Sequence, residues 1–335
     1  MRNFFITQKP YLIAELSANH NNDIQRAIKI IDEAKTSGAD AIKFQTYTAD
    51  TITLNCNRSD FIINDGLWKN RILYELYSEG SLPWEWHERL FFHAKSLNLD
   101  VISTPFDRSA VDFLETQGVD AYKIASFEIV DIPLIRKVGS TKKHVFISTG
   151  MASMDEISEA IDAIGHNDIT LFHCISSYPA EAEQSNLPFL SNLQKHFDLE
   201  VGLSDHCIKN NVAAAAVALG AKVIEKHFTL NTSDGGLDDS FSQTPKSFKE
   251  LRSMVDEVAL AIQPHEKRTD LPNLKYRKSI YASQDINEGD IFNEENIRIV
   301  RPGFGLPAKY YNYLINKKAV SNYKFGDRIL DVELL

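Results

Sequence analysis

The sequence predicts an α/β fold, a (β/α)8 TIM barrel followed by a small, mostly β domain. Three observations lead there. Short apolar runs alternate with amphipathic stretches eight times through about residue 262. The repeat occupies about 250 residues, the usual size of a closed eight-stranded barrel. A polar, proline-bearing stretch then precedes a tail of different character. An open doubly wound sheet shares the local rhythm, but eight strand–helix units fill a closed barrel. The expected domains are a barrel over 1–262, a linker over 263–278 and a β domain over 279–335.

Candidate strands are 11–15, 41–45, 100–104, 121–125, 144–148, 169–174, 200–204 and 222–226. Runs such as Tyr11-Leu-Ile-Ala and Ala41-Ile-Lys-Phe have the continuous apolar character of buried strands. Residues 23–37 repeat apolar positions at Ile24, Ala27, Ile28, Ile31 and Ala34, and Gly38 supplies a stop. Similar helices fit 84–97, 108–116, 131–138, 153–164, 187–196, 209–218 and 245–262. The loop over about 48–82 is long and carries Phe61, Ile62, Trp68, Tyr74 and Tyr77, so a packed lid is expected. Pro264 and Pro272 mark the linker. Beyond it, Ser279-Ile-Tyr-Ala-Ser, a turn at Asn287-Glu-Gly-Asp and Lys324-Phe-Gly-Asp-Arg indicate the small β domain.

The 335 residues are 43% hydrophobic and 24% charged, enough for a large core. A net charge of -10 argues against nucleic-acid partners and anionic membranes, though a local lysine cluster can still bind a small anion. Cys56, Cys174 and Cys207 are odd in number and far apart, which suits a reducing cytoplasm. No signal-peptide core and no apolar run near the roughly 20 residues of a membrane span is present. A cytoplasmic location is the expectation.

Catalytic groups of such barrels lie at the C-terminal ends of the strands. The runs end in Glu15, Ser17, Asn19 and His20; in Lys43 and Gln45; and in Ser103-Thr104. The others end in Lys123, Ser126 and Glu128; Ser148; His173, Ser176, Ser177 and Tyr178; Ser204-Asp205-His206; and Glu225-Lys226-His227. Any one of these could simply cap the next helix. All eight strands supplying polar groups at one end is harder to attribute to capping. Lys43 and Lys123 lie in apolar runs, where a charge needs an ion-pair partner or an anionic ligand. With Thr104, Ser126, Ser148 and Ser204 they would suit a phosphate and a carboxylate on one small molecule. His206 and His227 end neighbouring strands and could converge on a divalent ion such as Mn2+, Co2+ or Zn2+, with Asp205 and Glu225 behind them. His87, His93 and His144 read as structural.

At these residues the chain resembles the sialic acid synthase family. The resemblance is carried by Tyr11-Leu-Ile-Ala-Glu-Leu-Ser-Ala-Asn-His-Asn, Lys43-Phe-Gln-Thr-Tyr, Ser103-Thr-Pro-Phe, Tyr122-Lys-Ile-Ala-Ser-Phe-Glu, Ser148-Thr-Gly, Gly202-Leu-Ser-Asp-His and Ile224-Glu-Lys-His-Phe-Thr-Leu, in the family's order. Arg301-Pro-Gly-Phe-Gly-Leu-Pro and Lys324-Phe-Gly-Asp resemble its C-terminal antifreeze-like (SAF) β-clip domain. The family condenses phosphoenolpyruvate with the open-chain aldehyde of an N-acetylated amino sugar and releases phosphate. Ala14-Glu-Leu-Ser-Ala-Asn-His, Gly66-Leu-Trp, Leu73-Tyr-Glu-Leu-Tyr and Glu85-Trp-His are similar to its pseudaminic acid branch. That branch implies 2,4-diacetamido-2,4,6-trideoxy-L-altrose as acceptor.

The resemblance implies that Lys43, Thr104, Lys123, Ser126, Ser148 and Ser204 hold phosphoenolpyruvate. It places Glu15 and Gln45 beside the reacting carbons, and Glu128, Tyr178 and Asp238 facing the sugar. Asp238 is matched by its spacing from His227 and Ser242, with Asp239 next to it. His206 and His227 would ligate the metal, Mn2+ first, with Co2+ or Mg2+ as alternatives. A domain-swapped homodimer is implied, in which an arginine before the first serine of the small domain reaches the partner's acceptor. Here Lys278 stands at that place with Arg277 before it, and lysine lacks arginine's planar fork. The continuation Cys207-Ile-Lys-Asn also departs from the family's small-residue loop. Competing readings are a neuraminic or legionaminic acid synthase, a metal-dependent pyruvate aldolase and a glycan-binding module.

Overall fold

The computed structural model describes residues 9–264 and 271–330 and divides into two compact units at Gln263/Pro264. In the first, β1 (Tyr11–Glu15), β2 (Ala41–Thr46), β3 (Asp100–Pro105), β4 (Ala121–Ile124), β5 (His144–Ser148), β6 (Ile169–Cys174), β7 (Glu200–Ser204) and β8 (Val223–His227) form a closed parallel barrel in chain order. β8 pairs back onto β1, with Tyr11 opposite Val223 and Glu15 opposite His227. The barrel read from the eight-unit rhythm is therefore the fold.

Eight helices cover the outside: Ile24–Thr36, His87–Ser96, Arg108–Gln117, Ile132–Ser140, Met154–Ile164, Pro188–Phe197, Asn211–Ala218 and Pro245–Ala261. Their ends follow local chemistry. Asp23, Asp107, Asp131 and Ser153 accept hydrogen bonds from first-turn amides. Pro245 opens the last helix behind a Thr244 cap, and Gly118 ends the third in a left-handed turn. Helix Ile24–Thr36 buries Ala27, Ile30, Ile31 and Ala34 against the barrel.

Because strand side chains alternate, each strand has an outward and an inward set. Outward residues such as Leu12, Ala14, Ile42, Phe44, Val101 and Tyr122 pack under the helices. Inward residues Tyr11, Ile13, Ala41, Ile102, Ala121, Phe146, Phe172 and Val223 form a separate apolar plug. Phe146 and Phe172 stack within it, with centroids 5.5 Å apart. The plug separates the polar inward residues at the C-terminal ends from a buried polar pair beneath it, His144 and Thr170, whose Nε2 and Oγ1 are 3.0 Å apart.

The long loop after β2 is ordered. It contains helices Ala49–Ile52 and Leu73–Gly80, and Ile62 bridges Ile72 in antiparallel fashion. The Ile63 amide donates to Arg71 O at 3.0 Å and the Asn70 amide to Ile63 O at 2.8 Å. Residues 62–72 thus form a tongue, turning at Gly66 with φ +73°.

The second unit has its own core of Ile280, Ile286, Phe292, Ile297, Leu314, Tyr323 and Ile329 among others. Strands β9 (Ser279–Ala282) and β10 (Ile297–Val300) pair antiparallel. The remaining pairing is by isolated bridges such as Ile286 with Tyr323, so the unit is less regular than the expected β domain. Frequent turns interrupt its ladders; in one, the Asn287 amide donates to Asp290 Oδ2 at 2.8 Å. The linker expected at 263–278 lies partly outside the described residues, and Leu271–Tyr276 is a 3-10 helix. Among the described residues no helix is long and apolar enough to cross a membrane.

Gly202 on β7 faces the plug. A Cβ there would lie 2.3 Å from Val223 Cγ1 and 2.5 Å from the Phe172 ring. Gly202→Ala is expected to destabilise the barrel by about 1–3 kcal/mol through overpacking. A urea midpoint equal to that of the unsubstituted chain would show that the plug relaxes around the methyl.

Candidate active site

The strand registers bring the polar inward residues side by side. Glu15 pairs in register with Lys43, Gln45 with Thr104, Cys174 with Ser204, and Ser204 with Glu225. They meet above the plug at the floor of a cavity of about 850 Å3. Glu15, Lys43, Gln45, Thr104, Lys123, Ser126, Glu128, Ser148, Tyr178, Ser204, His206, His227 and Asp238 all line it. Arg277, the remaining candidate, belongs to the second unit. It is exposed there, and its amide donates to Leu274 O at 3.0 Å.

Buried charges form the floor. Lys123 Nζ donates to both Glu225 oxygens at 2.8 and 3.0 Å and lies 4.5 Å from the Phe172 ring centroid. Lys43 Nζ is 3.1 Å from Glu225 and 3.3 Å from Glu15. Ser204 Oγ also donates to Glu225, at 2.9 Å. Both lysines therefore have ion-pair partners within the protein. Glu225, expected behind the metal, instead bridges the two ammonium groups.

Electrostatics follow from this packing. Burial pushes Glu15 up to about 7, although Lys43 opposes the shift. Burial would raise Glu225 too, but Lys123 and Lys43 together hold it well below the carboxylate range. Burial lowers Lys123 to about 8, against the pull of Glu225. Lys43 goes the other way, because Glu15 and Glu225 outweigh its burial. Glu128 is pushed up to about 7 by burial.

Above the floor, Gln45 Nε2 donates to Glu15 Oε1 at 2.8 Å and to Ser17 Oγ at 3.0 Å. Ser17 Oγ donates to Asp238 Oδ2 at 2.5 Å. Asp239 points elsewhere, accepting from Arg26, Thr229 and the Gly236 amide. Glu15 Oε2 is held by its ion pair with Lys43, whereas Thr104 Oγ1, Glu128 Oε2 and His227 Nδ1 are buried without a hydrogen-bond partner. Such atoms are costly unless a ligand completes them.

The imidazoles of His206 and His227 have centroids 5.4 Å apart. Ile175 O, which can only accept, lies 2.8 Å from His206 Nδ1, so that nitrogen carries the proton and Nε2 is left for a ligand. His227 Nδ1 is 3.6 Å from Asp238 Oδ2. Burial, then the neighbouring His206, keep His227 well below the ordinary histidine value and hence neutral, as a metal ligand must be. Among the described residues no set of three or more His, Cys, Asp and Glu is arranged to hold a metal. The pair fits an ion that takes its other ligands from substrate or water.

Several rim residues belong to the scaffold. Asn19 Nδ2 donates to Phe228 O at 3.0 Å, Ser103 Oγ to Phe44 O at 3.2 Å, and His173 Nε2 lies 2.6 Å from Ser185 O. Asp205 also faces away from the cavity. It receives Lys226 Nζ at 2.7 Å and the Cys207 amide at 2.9 Å, because it stands one residue out of phase with Ser204. Cys174, read from the sequence only for its bearing on redox compartment, is a site residue. It follows Thr170 and Phe172 in the inward phase and lies 4.0 Å from His206 Nδ1. Trp68, which the sequence offers as lid packing and within the Gly66-Leu-Trp resemblance, lines the cavity.

Two lysines beside unsatisfied hydroxyl and carboxylate oxygens, at the open end of a barrel, define a (β/α)8 enzyme of small anionic substrates. The chain belongs to the NeuB family, which matches residues 30–267, and the SAF domain matches residues 277–334. It is 43% identical to a pseudaminic acid synthase of Campylobacter jejuni subsp. jejuni serotype O:2, over 98% of this chain and 97% of that protein. It is 40% identical to the pseudaminic acid synthase of Helicobacter pylori, over 93% of this chain and 94% of that one. A solved structure of N-acetylneuraminic acid (sialic acid) synthetase from Leptospira borgpetersenii serovar Hardjo-bovis superposes with a TM-score of 0.71 at 27% identity. That match covers 79% of this chain and 89% of the other.

The raised Glu128 predicts a pH-dependent stability. The folded state holds this proton more tightly than the unfolded chain, so stability falls as pH rises from about 4.5 to about 7. Glu128→Gln is expected to gain on the order of 1–3 kcal/mol at pH 8 and almost nothing at pH 4. Urea unfolding at the two pH values measures this; equal gains at both would locate the effect elsewhere.

Proposed function

We propose that this chain is a pseudaminic acid synthase. It joins phosphoenolpyruvate, 2,4-diacetamido-2,4,6-trideoxy-L-altrose and water to give pseudaminic acid and phosphate. The observation that carries the reading is near-full-length similarity to two pseudaminic acid synthases, at 43% and 40% identity. The lysine and hydroxyl cluster in the barrel mouth supports it, because phosphoenolpyruvate brings two anionic groups on one three-carbon frame.

Lys43 and Lys123, with Thr104, Ser126, Ser148 and Ser204, receive the phosphate and carboxylate. Holding both anions fixes the donor's C3 next to the acceptor aldehyde. The C3 electron pair attacks the aldehyde carbon, and the aldehyde oxygen takes up a proton from solvent as an alcohol. Positive charge left at C2 is met by Glu15, which Gln45 orients. Water adds at C2 and gives its proton to Glu15. The bond between C2 and the phosphate oxygen then breaks, phosphate departs with that electron pair, and the C2 hydroxyl passes its proton to the departing phosphate as the C2 carbonyl forms. Glu128, Tyr178 and Asp238 face the sugar.

His206 and His227 hold a divalent ion, Mn2+ first. Such an ion would supply positive charge against the aldehyde oxygen. A cytoplasmic homodimer, with Arg277 serving the partner's acceptor, completes the reading.

Phosphate release assayed with phosphoenolpyruvate and each of three acceptors tests the substrate. The trideoxy altrose should lead the neuraminic and legionaminic acid precursors by about 10-fold or more in kcat/KM. Faster release with either precursor would reassign the product. Pyruvate in place of phosphoenolpyruvate should give no condensation, which separates this chemistry from an aldolase.

His206→Ala and His227→Ala should each lower kcat by about 100-fold or more and abolish Mn2+ binding measured by calorimetry, with the circular dichroism spectrum unchanged. Retained turnover in a chelator-treated double variant would remove the metal from the reading.

A further inference from the structure

The tongue 62–72 forms a wall of the cavity to which the proposed chemistry gives no task. Trp68 folds back from its tip. The indole N–H donates to Leu237 O at 3.3 Å, one residue before Asp238. Its ring meets Tyr178 at 5.8 Å and Phe241 at 6.4 Å. Tyr178 in turn packs on His206 at 4.3 Å, and Phe241 on His227 at 5.1 Å. Trp68 is therefore one ring further out than the residues that contact the imidazoles. Beside it, Ile63 and Leu67 line the same cavity, and Leu67 is 50% exposed.

On the tongue, Ile63, Leu67 and Trp68 present apolar surface to the cavity, with the exposed Asp65 beside them, while the floor is charged. The indole's single donor is already used by the Leu237 carbonyl. A ligand hydroxyl packed on the face of that ring would lose water and find no partner on the indole, whereas a methyl group would gain contact. An amino-sugar aldehyde with its carbonyl toward the imidazoles extends its other end toward the tongue. We propose that Trp68, with Leu67 and Ile63, determines acceptor specificity by packing against the distal methyl groups, the C6 methyl and the C4 acetamido methyl. This rests on the trideoxy diacetamido acceptor of the preceding section and assigns the site that selects it.

Steady-state kinetics of Trp68→Ala, Trp68→Phe and Leu67→Asn test the assignment. The ligands are the trideoxy altrose and N-acetylmannosamine, which carries hydroxyls at C4 and C6. The latter is assayed as substrate or as competitive inhibitor. Trp68→Ala should lose about 10- to 100-fold in kcat/KM for the trideoxy acceptor, mostly through KM. The KM for phosphoenolpyruvate should stay within about twofold, and N-acetylmannosamine should be affected least, so the preference narrows. Trp68→Phe should recover most of the loss. Leu67→Asn, at a half-exposed position, should shift the acceptor KM in the same direction without moving the thermal midpoint. An unchanged acceptor KM in Trp68→Ala, or equal losses for both sugars and for phosphoenolpyruvate, overturns the proposal. If Trp68→Ala fails to fold, unchanged acceptor KM values in Trp68→Phe and Leu67→Asn overturn it. An unsubstituted enzyme that uses another acceptor but not the trideoxy altrose rejects the parent reading and this wall together. Normal trideoxy activity with unselective variants rejects the wall alone.

Discussion

The ion pairs around Glu225 are the constraint on which the rest of the barrel depends. Two ammonium groups lie inside a closed barrel, above an apolar plug, with Glu225 and Glu15 as their counter-charges. Hydrophobic residues of similar volume would often hold such an interior as well or better. A charged cluster so placed makes sense if it is to be exchanged for a ligand's charges. Glu225 keeps both lysines pointing at one spot, so a bound anion meets them already oriented. The plug below denies water a route from the other end of the barrel.

Much of this was legible in the sequence. The eight strands and eight helices follow from apolar periodicity and caps, and the observed ends differ from the expected ones by a few residues at most. The candidate residues on the barrel converge because the period of two puts Glu15, Lys43, Gln45, Thr104, Lys123, Ser148, Ser204 and His227 on the inward face of their strands. The same parity separates Ser204 from Asp205 and Ser103 from Thr104. Reading it strand by strand would have placed Asp205 outside the cavity and drawn attention to Cys174.

Other features had no periodic signal. Glu225 was visible as an inward carboxylate, but its position between Lys43 and Lys123 depends on side-chain reach across the barrel. Trp68 lies in a loop whose path is set by one antiparallel bridge and one turn at Gly66, which composition does not encode. The small domain was legible as a separate unit with a turn at 287–290. Its sparse ladders were not, because short strands held by isolated bridges leave little alternation to read.

Strand β8 shapes the site from both of its faces. Glu225 and His227 point into the cavity, while Lys226 between them reaches Asp205 and the carbonyl of Cys207 on the outer side. Those two residues flank His206. Three consecutive residues thus set the lysine counter-charge, one imidazole and, from behind, the loop that carries the other. A single-residue deletion in this strand would invert it rather than weaken it, sending an ammonium inward and both ligand-facing groups out toward the helices. Loops around the mouth carry no such parity, so the barrel can accumulate new acceptor preferences there while its strand ends stay fixed.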